Sequence, residues 1–166
     1  MRPHLVTEPA VRWAVPSAAA AAVPASGAGA AANSPAVPAV EVQSPDTAAK
    51  VLAVFFRLAE RWGLSAAEQQ RLLGVGKTTL FAWKAGRVKA GLDAAVLERL
   101  SYLFRIHAAL QILLPLPERA DAWLRAPNAA PLFGGHSALD RLLGGQVGDL
   151  MRVADYLDAA RGSDFA

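Results

Sequence analysis

The amino-acid sequence predicts an all-α protein, and three observations support that prediction. Ser65 with Glu68, and Ser137 with Asp140, have the spacing of a capping box, in which a serine caps a helix and an acid three residues later bonds back to it. Apolar residues recur at helical spacing in several segments. No run has the alternating, β-branched pattern of a strand. The predicted order is a disordered arm, a helix-turn-helix half and a small helical C-terminal half.

Residues 1 to 45 are predicted to be the disordered arm. Their sequence, which includes "PSAAAAAVPASGAGAAANSPAVPAVEVQSP", has no apolar periodicity and few bulky side chains to offset the entropy of ordering it. Prolines interrupt the segment and Glu8 lies near its beginning, unlike the basic start and apolar run of a secretory signal. The sequence has no cysteine, which excludes disulfides and thiolate metal sites. We therefore expect a cytoplasmic protein.

The first predicted helix lies in "DTAAKVLAVFFRLAERWG", residues 46 to 63. Its buried stripe is predicted to consist of Val51, Val54, Phe55, Leu58 and Trp62, which have helical spacing. This stripe should pack against the helix pair that follows it.

The string "GVGKTT", residues 74 to 79, has two interpretations. A phosphate-binding loop would need a glycine where Arg71 stands and a buried strand before it, but the preceding "SAAEQQ" is typical of a helix start. In the other interpretation a helix begins after Ser65 and ends at Gly74, and a second helix runs from Lys77 to Ala85. Two short helices joined by a glycine-centred turn form a helix-turn-helix. We therefore expect no binding of ATP or GTP.

The segment "LSAAEQQRLLGVGKTTLFAWKAG", residues 64 to 86, resembles the Xre-type (lambda-repressor-like) helix-turn-helix without a gap. The matching positions are Leu64, Leu72, Leu73, Gly74, Val75, Thr79, Leu80, Trp83 and Gly86. Within it Val75, Leu80 and Trp83 are expected to face inward. Gln69 and Gln70 depart from the leucine and alanine of that pattern, and Gly76 replaces its usual serine cap.

A long helix follows the helix-turn-helix. Asp93 is placed to cap it, and Pro115 and Pro117 end it. Apolar residues nearly encircle this helix, Ala94 to Leu114, which indicates burial between domains or against a second copy. Because a single helix-turn-helix contacts few base pairs, we expect a homodimer with this helix as its seam.

Three shorter segments complete the chain. A short helix is predicted around Glu118 to Arg125, followed by the loop "APNAAPLFGGH" and a helix from Ser137 to the glycines at 144 and 145. A last helix should run from Val147 to Ala160. Its inward residues are predicted to be Val147, Leu150, Val153, Ala154 and Leu157. The DNA-binding helices are expected to fold in a chain that ends at Gly145.

Residues 122 to 162 are similar to the toxin-binding domain of Xre/MbcA/ParS-type antitoxins. The matching residues are Trp123, Pro127, Asn128, Phe133, Gly134, Leu139, Leu143, Gly145, Leu157 and Gly162, while Ala138 departs from a common proline. The predicted domains are the arm at 1–45, the helix-turn-helix domain with its long helix at 46–114, and the toxin-binding domain at 115–162. The resemblance implies a type II antitoxin that binds its own promoter DNA and blocks a protein toxin. It also implies that the toxin is of the RES type, which consumes NAD.

The charge distribution indicates where each partner would bind. Residues 50 to 105 carry ten Lys or Arg and four acids, a net charge of +6, whereas residues 106 to 166 carry five and seven, a net charge of −2. Base edges are expected to contact Lys77, Thr78 and Ala82, at the start of the recognition helix. The residues expected to bind phosphates are Arg71, Lys84, Arg87 and Lys89. The toxin is expected to contact Arg152, Asp155, Tyr156 and Arg161.

Other chemistry is not predicted. His4, His107 and His136 have no second ligand at metal spacing, and no serine lies in a nucleophile elbow. We therefore expect no catalysis, no metal and no cofactor. Phe81 is a large apolar residue on the outward side of the recognition helix, where it could contact thymine methyls, a neighbouring subunit or the preceding helix. The alternative function is a free-standing helix-turn-helix regulator whose C-terminal half dimerises.

Overall fold

The computed structural model describes residues 44–163, and this range is all-α, as predicted. Its helices are α1 (Pro45–Arg61), α2 (Ala66–Leu73), α3 (Lys77–Lys84), α4 (Ala94–Leu113), α5 (Pro117–Trp123), α6 (Ala138–Leu142) and α7 (Val147–Ser163). The predicted arm lies outside the described residues except for its last two, Ser44 and Pro45, which begin α1. His4 also lies outside them.

The buried stripe of α1 differs from the predicted one, since Val54 is exposed, Val51 is half-buried, and Ala48, Leu52 and Ala59 are buried. Leu52, Phe55 and Leu58 are buried, but Val54 is 45% exposed. The reason is angular, because each helical residue turns the side chain by about 100°, so Val54 lies about 200° from Leu52. Its spacing of three residues from Val51 and four from Leu58 predicts that Val54 is buried. In the structure Ala48 and Leu52 are buried instead.

The helix-turn-helix consists of α2, a tight turn and α3. Both hydrogen bonds of the Ser65 and Glu68 capping box are present at the start of α2. Gly74 ends α2 in the left-handed conformation, with φ of 69°, which favours glycine. Leu80 is buried as expected, whereas Val75 and Trp83 are only half-buried.

The two glutamines of α2 fit without disturbing the pair. Gln69 is buried, and its amide Nε2 donates to the Leu64 carbonyl at 2.7 Å. Gln70 is half-buried, and its Nε2 donates to the Ala66 carbonyl at 3.2 Å. Both amide nitrogens therefore bond to the backbone, while the Oε1 of Gln69 is buried and has no hydrogen-bond partner within residues 44–163.

Helix α4 is the centre of the fold. Asp93 caps it through the Val96 N–H at 2.8 Å, and the helix ends before Pro115, both as predicted. Its buried residues are Val96, Leu100, Leu103, Ile106, Ala109 and Leu110. Helix α7 makes the most extensive helix contact with it, and α5 and α2 contact it as well.

The expectation that α4 forms a dimer seam is wrong, because helices of the same chain cover most of its apolar surface. Ile112, which is 53% exposed, is the one large apolar side chain of α4 that the structure leaves exposed in the described range. The expectation that the DNA-binding helices fold in a chain that ends at Gly145 stays a prediction. The packing of α7 against α4 argues against it, since removing α7 would expose the apolar side of α4.

The C-terminal half wraps back onto α4. The Ser137 and Asp140 capping box begins α6, and an antiparallel bridge between Pro127 and Ser137 closes the loop before it. Four of the five residues predicted to face inward on α7 are buried, and Val147 is half-buried. No helix among residues 44–163 is long and apolar enough to cross a membrane.

Candidate DNA-binding and protein-binding surfaces

The exposed face of α3 is the candidate base-reading surface. Lys77 and Thr78 lie on its first turn and are exposed, as a recognition helix requires. Phe81, one turn further on, is 45% exposed and occupies the middle of this face. Ala82, which we expected to contact bases, is half-buried beside it. Phe81 is the more exposed of these two apolar residues, and base contact by Ala82 stays a prediction.

The backbone at the start of α3 is also accessible. Gly76 is the N-cap, and no side chain bonds to the first amides of the helix. The first N–H groups of a helix have no partner inside it and favour anions. These amides therefore add to the side chains as candidate phosphate donors.

Basic side chains surround α3. The four predicted phosphate ligands, Arg71, Lys84, Arg87 and Lys89, are all exposed. The Lys84 ammonium lies over the Phe56 ring, 5.6 Å from its centroid, which restrains it near the end of α3. Among residues 44–163 none of these four forms an ion pair with a carboxylate. Their charge is therefore available to an outside polyanion.

The outward face of α7 is the candidate protein-binding surface. Arg152 and Asp155 have side chains that are 62% and 58% exposed, and both lie on this face. Arg152 is 3.9 Å from Asp149, and Asp155 is 3.0 Å from Arg105 of α4. Met151 is an exposed apolar residue of the same face, which the sequence prediction did not include.

The other two predicted toxin contacts lie closer to the core. Tyr156 is half-buried and packs edge-on against Phe133, with ring centroids 5.2 Å apart. Burial raises the pKa of its phenol. Arg161 is half-buried and bonded to Asp158 at 3.2 Å. The structure thus brings Arg152 and Asp155 together on an open face, while Tyr156 and Arg161 stabilise the helix from its edge.

Three arginines join the two halves of the chain. Arg125 donates to the Gly63 carbonyl at 2.7 Å and lies 3.3 Å from a Glu68 oxygen. Arg61 of α1 pairs with Asp121 of α5 at 3.0 Å. Arg99 of α4 donates to the Leu72 carbonyl at 3.3 Å and to the Gly145 carbonyl at 2.9 Å. The sequence prediction missed these contacts, because most of the acceptors are backbone carbonyls.

The carboxylate of Glu68 serves two contacts at once. Burial raises the pKa of Glu68, but the hydrogen bonds from Ser65 and Arg125 outweigh burial, so the pKa lies below its ordinary value. Two hydrogen bonds from Ser137 likewise lower the pKa of Asp140. The carboxyl groups of Glu68 and Asp140 are therefore both charged at neutral pH.

A polar cluster lies where α1, α4 and α5 meet. The His107 ring packs against Trp62, with centroids 6.0 Å apart, near Arg61 and Asp121. Burial, and then the charge of Arg61, lower the pKa of His107, and Asp121 opposes them. No group of three metal-ligating side chains occurs among the residues that the structure describes.

Comparison with known proteins gives a family match for each of the two resemblances. The sequence model of the antitoxin Xre-like helix-turn-helix domain matches residues 41–105. That of the antitoxin Xre/MbcA/ParS C-terminal toxin-binding domain matches residues 109–162. The uncharacterized protein y4oB of Sinorhizobium fredii is 52% identical over 114 residues, which cover 67% of this chain and 84% of that protein. The matches have the predicted order and confirm both resemblances.

Proposed function

We propose that this chain, which belongs to the Xre/MbcA/ParS family of antitoxins, neutralises a protein toxin with its C-terminal half and represses its own promoter with its helix-turn-helix. The supporting observation is that one chain has two unlike exposed faces: α3 with unpaired cations around it, and the outward face of α7 with Arg152 and Asp155. Binding alone accomplishes both tasks, so the proposal includes no catalysis and no cofactor. The proposed place of action is the cytoplasm, where the promoter lies.

The proposed toxin is of the RES type, an enzyme that consumes NAD. This part of the proposal rests on the family resemblance, and the chemistry of α7 supports it. Arg152 offers a guanidinium group, which binds carboxylate and phosphate through paired hydrogen bonds. A stable complex needs a contact of about 800 Å² on each partner, with a few dominant anchors. We propose Arg152, Asp155 and Met151 as the anchors, with Tyr156 and Arg161 at their edge.

A growth-rescue assay tests the function. The product of the adjacent reading frame is induced in cells that also express this chain from an independent promoter, and binding is checked by pull-down. The wild type should restore growth, and Met151→Glu with Arg152→Glu should lose both rescue and pull-down. Lys84→Ala with Arg87→Ala is the matched control, because it should rescue growth while losing promoter binding.

Two results would contradict this proposal. Undiminished rescue by the α7 double variant would remove the assigned surface. No toxicity of the neighbouring product, together with intact promoter binding, would favour the alternative, a free-standing regulator whose C-terminal half dimerises.

We also propose a homodimer, since two recognition helices about 34 Å apart can read two half-sites on one face of DNA. Its seam is not the covered side of α4. In residues 44–163 the large exposed apolar side chains outside α7 are Val54, Phe81, Ile112 and Leu116. Light scattering at micromolar concentration should give twice the mass of the chain. A monomer with intact DNA binding would exclude the dimer.

A further inference from the structure

Arg99 contacts both functional halves through one guanidinium group. Its Nη1 donates to the carbonyls of Leu72 and Arg71, at 3.3 and 3.5 Å, in the last turn of α2. Its Nη2 donates to the carbonyl of Gly145, at 2.9 Å, two residues before α7. The last carbonyls of a helix have no partner inside it, so a cation placed there is favourable. Arg99 thus bonds the DNA-binding half to the start of the candidate toxin-binding helix.

The side chain of Arg99 also lies against the turn of the helix-turn-helix. A Cβ atom built on Gly74 would lie 2.9 Å from the Arg99 Nε. Gly74 is the residue at which the chain leaves α2, and only two residues separate it from α3. Arg99 therefore packs against the turn that leads into α3.

The opposite end of α2 is held by a second arginine. Arg125 donates to the carbonyls of Gly63 and Trp62, at 2.7 and 3.3 Å, and approaches Glu68 of the capping box. Helix α2 is consequently fixed at both ends by side chains from outside the helix-turn-helix. Of the two arginines, Arg99 is the one with a bond to the segment before α7.

We propose that Arg99 is a positioning residue through which occupancy of the C-terminal half changes the DNA affinity of α3. The inference rests on the proposed function. A partner seated on α7 that moves Gly145 alters the set of carbonyls bonded to Arg99, and with it the support under Gly74. Arg99 itself is half-buried behind the turn and contacts neither ligand. Coupling of this kind is reciprocal, so DNA should change the affinity for the partner by the same factor.

The test measures that factor directly. The full chain is titrated onto a fluorescent duplex of its own promoter, with and without a saturating amount of the adjacent reading frame's product. In the wild type the two dissociation constants should differ about fivefold or more. In Arg99→Ala the ratio should fall to about one, and Arg99→Lys should behave alike, because a single ammonium lacks the planar fork that spans the carbonyls.

Arg61→Ala is the matched control. Arg61 also joins the two halves of the chain, but its acceptor is Asp121 of α5, so the variant leaves intact the contacts of Arg99 with α2 and with the segment before α7. Its ratio should equal that of the wild type. Thermal unfolding of each variant shows whether the fold persists.

A measurement on the wild type alone tests the inference even if the Arg99→Ala variant does not fold. Binding of the same partner should change amide hydrogen exchange at Gly74 to Leu80, which lie outside the α7 surface. The inference is overturned by a wild-type ratio of one, by an unchanged ratio in a folded Arg99→Ala, or by unaltered exchange in that segment. Absence of either binary complex instead refutes the proposed function, and the inference with it.

Discussion

Lys84→Ala combined with Arg87→Ala should make DNA binding less sensitive to salt. Both side chains are exposed, neither forms an ion pair with a carboxylate, and the ammonium of Lys84 is restrained over Phe56. Each neutralised phosphate contributes about −0.9 to the slope of log K against log salt. With Arg71 and Lys89 included, one protomer presents four candidate phosphate contacts, which gives a slope of about −3.6. The double variant should therefore have a slope of about −1.8.

The two slopes differ enough to measure. Between about 50 and 200 mM salt, the wild-type protomer should lose about 150-fold in affinity and the variant about 12-fold. Fluorescence anisotropy on the promoter duplex over that range gives both values. Arg152→Ala with Arg161→Ala is the matched control, because it removes the same charge from α7 and should leave the slope unchanged. Equal slopes for both double variants would refute the assigned phosphate surface, since net charge alone would then explain the effect.

Three further predictions concern stability. Gly76→Ser should add the missing side-chain cap of α3 and raise the unfolding free energy by a few tenths of a kcal/mol, seen as a higher thermal midpoint of the DNA-free protein. Leu157→Ala should cost about 2–5 kcal/mol in chemical denaturation, because the side chain is fully buried in α7, and a cost below about 1 kcal/mol would contradict that packing. The pKa of His107 is lowered by burial and by Arg61, so its contribution to stability is present above its ordinary pKa of 6.5 and is lost as the pH falls below it. His107→Gln should therefore reduce the drop in midpoint between about pH 7.5 and about pH 5.5, and an equal drop in both proteins would exclude His107 as the cause.

The elements that were predictable from the sequence are those whose cause is local. Ser65 with Glu68, and Ser137 with Asp140, needed only their own spacing, and Gly74 needed only its position after Leu73. The exposed cations around α3 were predictable for the same reason, because a short amphipathic helix shows its outward side in its sequence.

The features that were not predictable depend on how distant segments meet. Helices α4 and α7 run in the same direction, since Arg99 meets Gly145 while Arg105, further along, meets Asp155 and Asp158. Nothing in the apolar pattern of α4 distinguishes a neighbour in the same chain from one in a second copy. The hydrogen bonds from Arg99 to backbone carbonyls could not be predicted from the sequence either, because every residue carries such an acceptor.

The packing of α7 against α4 matters during the synthesis of the chain and during its degradation in a cell. The ribosome makes α7 after the other described helices, so the apolar side of α4 is uncovered during synthesis until α7 emerges and docks. Proteolytic removal of α7 would uncover the same side again. We expect the proposed promoter binding and the proposed toxin capture to be lost together after such cleavage, because α7 carries the candidate toxin-binding face and also completes the core of α4.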